Sequence, residues 1–103
     1  MKFGLKKSVI QEICKVLEQF PEIEKVVIYG SRAKGKFKPG SDIDLSLFGE
    51  SLTSIQINKL NLQLDDLFLP YTFDISIYHQ LSNIQLKEHI DRVGHIFYEK
   101  KEM

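Results

Sequence analysis

The stretch Val26-Val27-Ile28-Tyr29-Gly30-Ser31-Arg32-Ala33-Lys34-Gly35-Lys36-Phe37-Lys38-Pro39-Gly40-Ser41-Asp42-Ile43-Asp44-Leu45-Ser46-Leu47 decides how this chain is read. Val26 to Tyr29 is an unbroken apolar run, the pattern of a buried strand, and Gly30 stops it. Ser31 to Ser41 holds four cations, two glycines and a proline in eleven residues. That composition predicts a loop, or a short helix plus loop. From Asp42 the chain alternates, with Asp42, Asp44 and Ser46 on one side and Ile43, Leu45 and Leu47 on the other. Alternation of this kind is a strand with one covered face.

Working outward, Ser8 to Phe20 places Val9, Ile10, Ile13, Cys14, Val16, Leu17 and Phe20 at steps of three and four. This predicts an amphipathic helix with Ser8 as its cap, ended by Pro21. A second helix is predicted over about Thr53 to Phe68, on the stripe Ile57, Leu60, Leu64 and Leu67. Tyr71 to Tyr78 alternates again, with Thr72, Asp74 and Ser76 opposite Phe73, Ile75 and Ile77. Ser82 is placed to cap a third helix bearing Leu86, Ile90 and Val93, and His95 to Tyr98 reads as a short edge strand.

Asp42 and Asp44 share a face because they are two residues apart. A strand–helix–strand unit leaves its strands parallel, so Asp74, near the start of the third strand, is expected beside them. An Asp-x-Asp pair alone is more often a solvated strand face than a site. The preceding loop changes that reading. If the first two strands are antiparallel, Gly30 and Ser31 lie next to the acids. Glycine lets a phosphate approach the backbone, and the N–H groups of a new helix can receive it. Arg32, Lys34, Lys36 and Lys38 add positive charge. Three carboxylates repel one another unless a cation intervenes, and oxygen ligands suit Mg²⁺ or Mn²⁺. Phosphate cradle plus metal carboxylates is equipment for a nucleoside triphosphate.

The whole is 103 residues with a formal net charge of zero, so one domain spanning 1–103 is expected, without a generally basic coat for nucleic acid. A lone Cys14 permits no intramolecular disulfide and reads as a small buried hydrophobe. No apolar run is long enough to cross a bilayer and no secretory signal is seen, so a cytoplasmic location is expected and no membrane partner. His79, His89 and His95 do not have metal-ligand spacing. Ile55 and Leu62 lie opposite the main stripe of their helix, which leaves either a covering loop or a partner protein to meet them.

Gly30-Ser31, ten residues, then Asp42-Ile43-Asp44 resembles the signature of the DNA polymerase β-type nucleotidyltransferase superfamily. The longer GSRAKGKFKPGSDIDLSL is similar to its minimal nucleotidyltransferase (MNT) branch, and DISIYHQL and LKEHIDRVGHIFYEK resemble that branch's third-aspartate strand and closing helix and strand. The resemblance implies an α+β fold: a small mixed β-sheet with helices packed on one face, the polymerase-β-like nucleotidyltransferase fold. It implies that Gly30, Ser31, Arg32 and Lys34 bind the nucleotide. Asp42 and Asp44 would hold two Mg²⁺ ions (Mn²⁺ being an alternative), and Asp74 would join them and help activate the incoming hydroxyl. ATP would be the substrate, AMP the group transferred, and the acceptor a tyrosine of a helical HEPN-domain toxin, with this chain as antitoxin. Two other readings stand beside it: a nucleotide-binding subunit that neutralises its partner by complex formation alone, and a transferase of the antibiotic-modifying type.

Overall fold

The structure, a computed structural model, describes residues 1–101. Helix α1 (Lys7–Glu18) leads to strand β1 (Lys25–Tyr29), a short helix α2 (Gly30–Lys34) and strand β2 (Ile43–Phe48). Helix α3 (Ser54–Asp65), strand β3 (Phe73–Ile77), a 3₁₀ turn at Tyr78–Gln80, helix α4 (Ile84–Val93) and strand β4 (His95–Glu99) complete it. The four strands form one mixed sheet in the order β3-β2-β1-β4. β1 is antiparallel to both its neighbours. β2 and β3, joined through α3, are parallel, as the crossover rule requires.

The alternation read from the sequence sorts the sheet into two faces. Ile28, Ile43, Leu45, Leu47 and Ile77 turn to one side and bury with Ile13 and Leu17 of α1 and Leu60 and Leu64 of α3 in the main core. Val27 and Tyr29 turn to the other side, where Ile90 of α4 closes a smaller cluster with Leu86, Val93 and Tyr78. The two long helices thus cover one face as expected, and α4 is added on the opposite face, over β1. Gly94 allows that approach, since a Cβ there would run into Val27 and the Ile90 carbonyl.

The helix boundaries follow local chemistry with three corrections to the sequence reading. α1 starts at Lys7 behind an extended Lys6 that offers no side-chain cap, so Ser8 is inside the first turn and caps nothing. A tight turn from Lys2 to Leu5 with Leu5 fully buried fixes where the helix begins. α4 is capped by Asn83, whose Oδ1 accepts from the Leu86 N–H at 3.1 Å, and not by Ser82. α3 ends at Asp65, because Phe68 adopts φ 52° and cannot continue a right-handed helix. Its start is a capping box: Ile55 N–H donates to Thr53 Oγ1 at 3.2 Å and Thr53 N–H donates to Gln56 Oε1 at 2.8 Å. Beyond β4, Lys100 is tied down, its Nζ donating to the Pro21 carbonyl and its N–H to that of Glu24.

Ile55 and Leu62 project from α3 with 60% and 66% of their surface exposed, so among the described residues no loop covers them. No helix among the described residues is long and apolar enough to cross a membrane.

Candidate active site

Strand register assembles the site. Tyr29, the last residue of β1, stands opposite Asp44 of β2, and Asp44 stands opposite Asp74 of β3. Side chains that face each other across neighbouring strands point to the same side. Tyr29, Asp44 and Asp74 therefore form a row across the sheet on the face carrying α4. Asp42 lies just before β2 and is exposed, as is Asp74, whereas Asp44 is half-buried. The chain then turns at Gly30 straight into α2. Gly30 has φ +75°, and a Cβ there would collide with Asp44 Oδ2. Only glycine combines that left-handed backbone with so close an approach to the carboxylate. The structure thus brings Gly30, Asp44 and Asp74 together, with Ser31 next in the first turn of α2.

Charge is strongly opposed here. The Asp44 carboxyl is pushed from 3.8 up to about 6, first by burial, then by Asp74 and Asp42, with Arg32 pulling weakly the other way. The Tyr29 phenol is also pushed up, chiefly by burial; a hydrogen bond with Ser76 opposes this, and Asp74 and Asp44 add to it. Ser76 Oγ donates to Ser46 Oγ at 3.3 Å, one step further along the same face, so the floor beyond the acids is a satisfied hydroxyl pair. Tyr29 is the site residue that sequence reasoning passed over. β1 is buried on both faces, so it shows no alternation to mark Tyr29 as sharing a side with Asp44.

A testable consequence is the pH dependence of folding without metal. Asp44 is easier to protonate when folded than when unfolded. Its favourable contribution is complete below pH 3.8 and is lost as the pH rises through about 6. After discounting for solvent screening, this one group should make the chelated protein on the order of 1–2 kcal/mol less stable above that window than below it. Urea unfolding in chelator at a series of pH values should show this decline in wild type and lose it in Asp44→Asn. A decline of equal size in the variant would place its origin elsewhere.

Arg32 departs from the sequence reading. The family resemblance puts it among the nucleotide ligands, yet it is only 2% exposed. Its guanidinium donates to the Phe3 carbonyl at 2.9 Å, to Ser41 O at 2.9 and 3.1 Å, and to Pro39 O at 3.3 Å. The rings of Phe37 and Tyr71 lie against it, 5.3 and 5.0 Å from the guanidinium carbon. Arg32 clamps the N-terminal turn to the loop that delivers Asp42, and is not placed to meet a phosphate. Lys34, by contrast, is exposed at the end of α2.

The donor set fits a hard divalent cation in a particular way. Among the described residues, no three His, Cys, Asp or Glu side chains form a ready metal cage. Mg²⁺ is ordinarily held by one or two carboxylates together with substrate phosphates and water. The unrelieved repulsion recorded in the Asp44 carboxyl is what such an ion would remove. Asp42 and Asp74 stand exposed at the site's edge. Hollows of about 450 Å³, beside Phe48 and Tyr78, and about 570 Å³, beside Cys14 and Phe97, lie elsewhere on the molecule. Cys14 itself is half-buried and its thiol pushed up, chiefly by burial, which favours an inert role.

The family model described as "Polymerase beta, Nucleotidyltransferase" matches residues 11–103. No curated protein sequence matches. A solved toxin–antitoxin structure with AMP-PNP superposes with a TM-score of 0.72 at 19% identity, covering 89% of this chain and 74% of that one. A tri-AMPylated Shewanella oneidensis HEPN toxin in complex with MNT antitoxin gives 0.69 at 16% identity, over 93% and 74%. The MntA-HepT toxin–antitoxin gives 0.67 at 16%, over 92% and 74%. At such identities the likeness establishes the fold.

Proposed function

Since this chain belongs to the polymerase beta nucleotidyltransferase family, we propose that it transfers AMP from ATP to a hydroxyl group of a protein, a tyrosine of a HEPN-domain toxin, and acts as that toxin's antitoxin. The observation that carries this reading is the row made by strand register: Asp44 between Asp74 and the Gly30 turn. The solved neighbours support the choice of partner and group, one holding AMP-PNP and another an AMPylated HEPN toxin.

In the proposed reaction the acceptor oxygen attacks the α-phosphorus. A new O–P bond forms, the bond to the β-phosphate oxygen breaks, and pyrophosphate leaves. Asp42, Asp44 and Asp74 would hold the divalent cations, which supply Lewis-acid charge at the phosphate oxygens when bound. Gly30 keeps the backbone clear for the triphosphate, and Ser31 offers a hydroxyl and an N–H to it. Asp74 is exposed at the rim and accepts the proton that the acceptor loses. Much of the remaining work is alignment of the two reactants.

The exposure of Asp42 and Asp74 suits a macromolecular acceptor, which brings its own walls. The exposed Ile55 and Leu62 offer apolar surface for such a partner. The deciding experiment incubates this chain with its helical partner, ATP and Mg²⁺, and weighs the partner by mass spectrometry. AMP on a partner tyrosine is the expected result. An unmodified partner that is nevertheless inhibited one-to-one would establish a binding subunit instead.

A further inference from the structure

The nucleotide motif ends before α3, yet α4 packs on β1 and α2, beside the site. His89 meets Tyr29 edge-on, with ring centroids 6.1 Å apart and planes at 81°, and Tyr29 is the register partner of Asp44. α2, which ends at Lys34, packs against α4. Arg92 follows His89 by three residues, so both share one side of the helix. The intervening carboxylate, Asp91, is engaged elsewhere, accepting from the Tyr78 hydroxyl at 2.8 and 3.0 Å. His89 is held below its ordinary value by burial, then by Lys34 and by Arg92. Basic groups from two helices thus gather on the α2 side of an acidic floor.

α2 begins beside Asp44 and ends at Lys34, about 6 Å along its axis. A triphosphate whose α-phosphate sits at the carboxylates can extend that far. Resting on the nucleotidyltransferase reading, we propose that Lys34, His89 and Arg92 together seat the β- and γ-phosphates of the nucleotide, and then the pyrophosphate that leaves. The division of charge follows from the chemistry. The α-phosphate meets carboxylates and their cation, while the strongly anionic tail meets guanidinium, ammonium and imidazole. Discrimination between a nucleoside triphosphate and a monophosphate then resides in α4 and the end of α2.

Calorimetric titration tests this, with ATP, AMP and inorganic pyrophosphate as probes and Mg²⁺ present throughout. The double variant His89→Gln/Arg92→Gln should bind ATP and pyrophosphate about ten-fold or more weakly, the weight of a charged hydrogen bond, and bind AMP like wild type. Equal losses for ATP and AMP, or none for either, would overturn the seat. Should the double variant not fold, Arg92→Gln alone, altered at an exposed position, is read by the same criterion. The two proposals fail separately. A wild type that binds pyrophosphate through these residues but transfers no AMP keeps the seat and loses the transferase. Normal transfer with undiminished pyrophosphate binding in the variant does the reverse.

Discussion

Asp74→Asn is expected to lower AMP transfer about a thousand-fold or more while leaving the complex with the partner intact. The side chain is exposed at the rim of the sheet, so an isosteric amide disturbs no packing. What it removes is a negative charge beside Asp44 and, in the proposed reaction, the exposed carboxylate that accepts the acceptor's proton. General-base and charge contributions of this kind are worth about 10²–10⁴ each. Asp44→Asn should be as inactive, yet melt higher than wild type in chelator, because it abolishes the half-buried charge that Asp74 and Asp42 repel. Activity and stability thus move in opposite directions at one residue, as expected where strained charge is retained for function. Transfer of label from α-labelled ATP and a thermal melt on the same preparations check both parts. Asp44→Asn that is fully active would remove it from the site.

Arg32→Met should unfold the protein easily, with a loss of about 3–5 kcal/mol. The substitution fits the space but leaves the carbonyls of Phe3, Pro39 and Ser41 without their donor inside the protein. It also frees a turn in which Phe3 is held at φ 57°, a conformation that persists only when its surroundings enforce it. Arg32→Lys should do little better, since an ammonium cannot fork to three carbonyls. At roughly 4–8 °C per kcal/mol for a domain of this size, the fall in melting temperature is easily measured. A variant that melts normally but binds ATP poorly would return Arg32 to the phosphate.

These two residues mark the border of what the sequence discloses. The aspartate row was legible because period-two alternation fixes which side a strand residue faces, and because a short crossover through α3 forces parallel strands. Gly30 was legible for the same reason: an antiparallel β1–β2 pair leaves its end nowhere else to go. Arg32 was not, since a cation in a basic glycine-rich loop looks like surface. Its burial depends on a carbonyl 29 residues away, on a turn that has no periodicity of its own. The position of α4 was equally hidden. Its stripe announces a buried side but not which face of the sheet receives it, and so His89 could be weighed only as a metal ligand. Cap positions slipped by a residue where Ser82 and Asn83, both good caps, stand in succession.

The order β3-β2-β1-β4 puts the last strand beside the first, and this sets a timetable for synthesis. β1 is complete once Tyr29 has left the ribosome, but its outer edge waits for His95 to Glu99. At a translation rate of about 5–20 residues per second, the roughly 65 residues between them take about 3–13 seconds. Throughout that interval the apolar run Val26 to Tyr29 presents an open strand edge, the kind that recruits a neighbouring chain. α2 and β2 emerge early enough to shield one side only. The nascent chain is therefore most exposed to misassociation after its row of aspartates has emerged and before its final strand has arrived.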